Sequence, residues 1–113
     1  DYIISSYLDA NSSAGFETDD VSGAQMTVDM ILNTKELMQV DAIKDKNVYY
    51  IDNYLVGGGG LNLVGAAFLG KLWHPEEFKD IDPMEILREY MAFYDSGFDA
   101  EQDTGVFLYP FLK

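Results

Sequence analysis

VYYIDNYLVGGGGLNLVGAAFLGKLW, residues 48–73, carries the reading of this chain. Val48, Tyr49, Tyr50 and Ile51 are β-branched or aromatic and read as an apolar strand. The strand empties into a loop with four glycines, Gly57, Gly58, Gly59 and Gly60, which runs into an amphipathic helix over residues 61–73. Glycine has no Cβ, so its backbone N–H groups can come close to a bound molecule. The start of a helix adds unpaired donors and a partial positive charge. Open α/β sheets hold ligands at such junctions, outside the carboxyl ends of their strands. The stretch predicts a binding cleft and names no reaction.

Working outward, the helix carries Gly65, Ala66, Ala67 and Gly70. A glycine inside a helix costs ~1 kcal/mol against alanine, so close packing on a sheet is expected to offset it. Pro75 ends the helix one residue past His74. Upstream, Asp45, Lys46 and Asn47 read as a tight turn into the strand. Residues 2–6, YIISS, read as a second, buried strand, and residues 9–23 as a long polar loop. A short helix is expected over residues 27–32, and Asn33, Thr34, Lys35 and Glu36 fit a capping box opening a helical turn through Met38. Asp82, Pro83, Met84 and Glu85 are the clearest helix start in the chain. Met84, Ile86, Leu87, Tyr90, Met91 and Tyr94 then form an apolar stripe closed by Gly97. The tail GVFLYPFL, residues 105–112, is apolar and interrupted by Pro110, as in an edge strand or a segment laid on the core. Two recognisable strands fall short of the ~5 of a common sheet, so further strands are expected upstream of Asp1.

At 113 residues and 48% hydrophobic content the chain has the size of one domain. Eight Tyr, seven Phe and one Trp argue against disorder. Seven Lys plus Arg stand against twenty Asp plus Glu, a formal charge of −13 that repels nucleic acid and anionic lipid headgroups. The acid reads as a solvated surface, or as a face matched to a basic protein. The absence of cysteine excludes disulfides, thiolate metal sites and cysteine nucleophiles. No apolar run approaches the ~20 residues that span a bilayer. The chain enters its first strand directly after Asp1, without an initiating Met or a signal peptide, and reads as a piece of a longer protein.

The enzyme constellations each fail on a required part. A phosphate-binding P-loop needs Lys and Ser or Thr where Ala66 and Ala67 stand, and the dinucleotide fingerprint has Leu63 in place of its third glycine. His74 is the only histidine and sits at a helix end, where an imidazole commonly meets a terminal carbonyl. Glu17, Asp19 and Asp20 lack the alternating ligands and central glycine of a calcium loop. Ser5 and Ser6 have no flanking glycines and no base nearby in sequence.

Taken together, DYIISS (residues 1–6), AIKDKNVYYID (42–52), the glycine loop and helix (57–73), HPEEF (74–78) and residues 80–94 form an ordered series. This series resembles the C-terminal lobe of the periplasmic-binding-protein family that serves iron-siderophore, haem and cobalamin ABC importers. GVFLYP (105–110) is similar to tails of its iron-complex branch. The resemblance implies an α/β fold: over residues 1–113, an incomplete C-terminal lobe, Rossmann-like, with a small, mainly parallel sheet flanked by helices. It implies an N-terminal lobe of the same protein, joined by a long helix, with the ligand held between the two. It also implies export to the periplasm or the outer face of the membrane, usually with a lipid anchor, and delivery of the ligand to a membrane permease. No catalysis and no resident cofactor are expected.

Carried onto this chain, the ligand contacts are Ser6 and Tyr7 after the first strand, and Asn53, Tyr54, Gly57, Gly58, Gly59 and Gly60 after the second. Neither segment holds Lys or Arg. An anionic ferric chelate would therefore draw its cations from the other lobe, a neutral one would be lined by Tyr7 and Tyr54, and phenolate ligation of bare iron is a third option. Family members use an acidic residue on each lobe to engage the permease; the helix start here has none, and Asp52 is the nearest acid. The rival readings are a standalone acidic interaction module whose glycine loop is only a connector, and, last, a lobe of a metallocluster enzyme. An incomplete sheet also leaves an open edge, so self-association through that edge or through cleft surface is expected.

Overall fold

A computed structural model describes residues 1–93 and 105–111. The described residues form four helices and a three-stranded mixed sheet, a mixed α/β arrangement. In chain order these are β1 (Ile3–Ser5), α1 (Ser22–Leu32), the short α2 (Asp41–Lys44), β2 (Val48–Ile51), α3 (Asn62–Trp73), α4 (Pro83–Phe93) and β3 (Leu108–Tyr109), with 3-10 turns at Lys35–Leu37 and Asn53–Leu55. The chain groups into two compact units: Asp1–Asp52 with Gly105–Phe111, and a second that begins at Asn53.

The first unit is built on β2, which lies between β1 and β3. β1 runs parallel to it, with Ile3 opposite Val48 and Ser5 opposite Tyr50. β3 runs antiparallel, with Tyr50 opposite Tyr109 and Ile51 opposite Leu108. The sheet therefore holds one pairing of each sense and is mixed, where a mainly parallel sheet was expected. Parallel neighbours need a long crossover, and residues 6–47 supply it through α1 and α2. The tail behaves as an edge strand, and Gly15 and Val106 add a bridge by exchanging N–H···O bonds of 2.8 and 2.9 Å.

α1 covers β2 and β3 with the buried Ala24, Thr27 and Val28, and Ala24 and Val28 join Val48, Tyr50, Ile43, Ala14 and Val106 in one core. The helix starts five residues earlier than expected, because Ser22 and Gly23 are poor helix formers whose place is decided by packing. Asp20 prepares that start by accepting the Ser22 N–H at 2.9 Å. The expected capping box over residues 33–36 is not formed: the Asn33 amide donates instead to the Asp29 carbonyl at 2.7 Å and the Thr34 hydroxyl to the Met30 carbonyl at 2.8 Å, each one turn back in α1. β1 is half-buried rather than buried, and Tyr2 before it is 43% exposed. The turn at residues 45–47 is present, with Lys46 in the left-handed region at φ 56°.

In the second unit α3 packs on α4 and on the Asn53–Leu55 turn around Leu55, Val64, Phe68, Leu72 and Leu87. Asp82 caps α4 through a 2.9 Å bond from the Met84 N–H to its carboxylate, with Pro83 at the first helical position. Gly65 faces the Leu55 carbonyl and Gly70 the ring of Phe78. Tyr94, Gly97 and Leu112, which the sequence assigns to the α4 stripe, its closure and the tail, lie outside the described residues. No helix among the described residues is long and apolar enough to cross a membrane.

Candidate functional site

The parallel register of β1 and β2 ends both strands at one edge of the sheet, Ser5 beside Tyr50. The chain leaves β1 there through Ser6 and Tyr7, both exposed. Tyr7 is held by its backbone. Its N–H donates to the Ser5 hydroxyl at 3.2 Å, and its carbonyl accepts the Thr27 hydroxyl at 3.1 Å. With the main chain tied, the ring stands 60% exposed.

β2 is followed by Asp52, which is buried. Tyr50 donates its hydroxyl to Asp52 Oδ2 at 3.0 Å, and the Asp52 N–H donates to the Phe107 carbonyl at 2.8 Å. Gly15, at φ +66°, lies so near that a Cβ there would stand 3.2 Å from Oδ2. Burial, then the Asp52 charge and the hydrogen bond to it, push the Tyr50 phenol well above the usual range. Asp52 thus faces inward, where the fold uses its carboxylate to accept the Tyr50 hydroxyl. Sequence reasoning missed this pair, although the signal was there: positions 50 and 52 share one face of a strand.

The second unit opens with Asn53 and Tyr54, both exposed, the latter by 56%. All four glycines of the following loop are exposed as well. Two of their N–H groups are already used. Gly57 donates to the Asn53 carbonyl at 2.7 Å, and Gly58 to Asn62 Oδ1 at 3.2 Å. Gly58 and Gly59 take φ of +117° and +95°, with open space where a Cβ would project. The N–H groups of Gly59 and Gly60 have no hydrogen-bond partner among the described residues. Gly60 backs onto the Tyr90 ring, leaving no room for a side chain.

Beside Gly60 the second unit holds an open groove of about 330 Å³ lined by Leu63, Val64, Ile86, Glu89, Tyr90 and Phe93. Sequence reading placed Ile86 and Tyr90 on an apolar stripe but did not foresee that Gly60 would complete a concavity with them. The remaining candidates have structural work. Asp19 accepts the Gly105 N–H at 2.7 Å. Hydrogen bonds from the backbone and then the side chain of Ser22 hold the Asp20 carboxyl below the usual range. His74 turns its Nδ1 toward Glu77, 4.0 Å away, rather than to a terminal carbonyl of its helix. Among the described residues no three His, Cys, Asp or Glu side chains gather as a metal site requires.

The eight residues assigned from the sequence are therefore all exposed, with Ser6 and Tyr7 in the first unit and Asn53, Tyr54 and the four glycines in the second. The chain matches no protein-family model, no curated protein and no solved structure.

Proposed function

We propose that the chain is a ligand-binding lobe, partial and Rossmann-like, of the extracytoplasmic solute-binding component of an ABC importer. It captures an iron complex, a siderophore or related metal chelate, against a second lobe and hands it to the permease without chemical change. One observation carries this reading beside the sequence resemblance. β1 and β2 run parallel and end together, and β1 is followed at once by the exposed Ser6 and Tyr7. Edges of this kind are where open α/β sheets bind ligands. The Tyr7 phenol ring supplies apolar area with a polar tip, which suits the organic shell of a chelate. With no Lys or Arg in either segment, the reading favours a chelate without formal negative charge.

Titration with a ferric trihydroxamate and with haem, followed by quenching of Trp73 and tyrosine fluorescence, tests this. The full gene product with its second lobe is expected to bind one of them saturably. The 113 residues alone should bind at least about tenfold more weakly, because a small-ligand site buries roughly 70–90% of its ligand. Tyr7→Ala should weaken binding while leaving the unfolding midpoint unchanged. Failure of every ferric chelate to saturate, or binding by the short chain as tight as by the whole, refutes the two-lobe reading.

A further inference from the structure

Of the chain's asparagines, Asn11 alone opens an Asn-x-Ser triplet, with Ser12 and Ser13. Two positions after Asn33, Asn47, Asn53 and Asn62 stand Lys35, Tyr49, Leu55 and Val64. Asn-x-Ser or Asn-x-Thr, with x other than proline, is the acceptor triplet for N-linked glycans and is used on surface loops of exported proteins. Such a triplet arises readily by chance, so its surroundings decide.

The triplet lies in the polar loop between β1 and α1, with Asn11 and Ser13 exposed and Ser12 half-buried between them. Asp9 shapes this turn: its carboxylate accepts the Asn11 N–H and its carbonyl the Ser12 N–H, both at 2.9 Å. Ser12 lies close against Gly23 in the first turn of α1, where an added Cβ would stand 2.8 Å from the Ser12 Cβ. The middle residue is thus the anchor, and the two that a glycan transferase reads are the exposed ones. Their side chains also have no task in the fold. Asn33 and Asn47 donate their amides to the Asp29 and Asp1 carbonyls, and Asn62 accepts the Gly58 N–H. Among the described residues nothing hydrogen-bonds the Asn11 amide or the Ser13 hydroxyl. In residues 9–13, DANSS, Ala10 is the one apolar side chain, so the segment offers little that another protein surface would gain by covering.

We propose that Asn11 is an N-glycosylation acceptor. The proposal rests on the extracytoplasmic reading above, because N-linked transfer takes place outside the cytosol. The co-reactant is a glycan carried on a polyprenyl phosphate or pyrophosphate. Asn11 Nδ2 attacks the anomeric carbon of the first sugar, and the new N–C bond forms as the C–O bond to phosphate breaks. The lipid phosphate leaves with the bonding electron pair, and Nδ2 gives up one of its two protons to a base of the transferase. The Ser13 hydroxyl is recognised by the transferase and is unchanged. The side chain stays an uncharged amide and gains a hydrated sugar chain on an exposed loop.

Peptide mapping by mass spectrometry of the full gene product, purified from its own cells after fractionation, is the test. The peptide that spans Asn11 is expected to carry a glycan mass, with fragment ions that place it on Asn11. Asn11→Gln and Ser13→Ala should each lower occupancy at least about tenfold, while Ser13→Thr and Ser12→Ala keep it. All four variants should share one unfolding midpoint, since neither Asn11 nor Ser13 has a partner to lose; were Asn11→Gln to misfold, Ser13→Ala decides. An exported product with bare Asn11 overturns the acceptor and leaves the solute-binding reading standing. So does a glycan that survives Asn11→Gln or Ser13→Ala, or that Ser12→Ala removes, because it then sits on another side chain. A product confined to the cytosol overturns the extracytoplasmic reading instead. In that event the full product fused to a secretion signal in a eukaryotic host decides the acceptor: a glycan on Asn11 supports it, and a bare Asn11 refutes it.

Discussion

Substituting Gly65 by Ala tests the contact that seats α3 on the Asn53–Leu55 turn, and with it the placement of Tyr54. Two effects oppose each other. Alanine at a helix interior is favoured over glycine by ~1 kcal/mol. Against this, a Cβ at position 65 would meet the carbonyl oxygen of Leu55, with that residue's carbonyl carbon at 3.0 Å and its Cβ at 3.2 Å. Leu55 is 1% exposed, so the obstructing group is buried backbone that cannot rotate away. Overpacking of this kind costs about 1–3 kcal/mol, and a rigid obstacle puts the cost in the upper part of that range. The net expectation is destabilisation by about 1–2 kcal/mol, read as a lower urea midpoint at unchanged slope. Gly70→Ala is the internal control. Its Cβ would meet the half-buried ring of Phe78, which can turn aside, so the helix-propensity gain should roughly cancel the crowding. An increase in stability for Gly65→Ala equal to that of an exposed helical site would mean that α3 does not rest on the turn, and the reasoning fails.

Three further outcomes are expected. Stability should fall as pH rises above about 10: the folded phenol of Tyr50 holds its proton beyond the point where the unfolded chain releases it, giving a slope of up to about 1.4 kcal/mol per pH unit. Tyr50→Phe should flatten that fall, leaving the smaller part due to Tyr49, and should cost about 1–3 kcal/mol at neutral pH because Asp52 loses a buried partner; an unchanged alkaline limb in urea melts at pH 8 to 11 would refute it. Asp82→Ala should cost about 1 kcal/mol through loss of the α4 cap, seen as a lower thermal midpoint, with Asp82→Asn retaining most of the stability. Thr27→Val should cost about 0.5–1.5 kcal/mol and raise amide exchange at Tyr7 and Leu8, since the hydroxyl bond to the Tyr7 carbonyl ties that segment to α1.

Much of the architecture was legible because it is local. Val48–Ile51 is a strand of β-branched and aromatic residues behind a turn, and it forms where its composition says. The Asp82–Pro83 start of α4 follows from residue preferences at helix ends, which depend on a few neighbours. Ser6, Tyr7, Asn53, Tyr54 and the glycines were readable as exposed loop residues for the same reason.

What lay beyond the sequence is what depends on distant partners. Ser22 and Gly23 enter a helix only because Gly23, Ala24, Thr27 and Val28 are buried as one stripe. The antiparallel sense of β3 rests on its meeting β2 more than fifty residues away, and no local preference encodes that. Asp52 looked like a surface acid at a strand end, until Tyr50, Gly15 and the Phe107 carbonyl enclosed it. The glycine loop divides the same way. Its composition alone determined that the backbone there could take φ of +117° and +95°. Which N–H groups stay available was decided by Asn53 and Asn62 reaching Gly57 and Gly58, because a hydrogen bond selects its partner by approach in the folded chain and not by residue type.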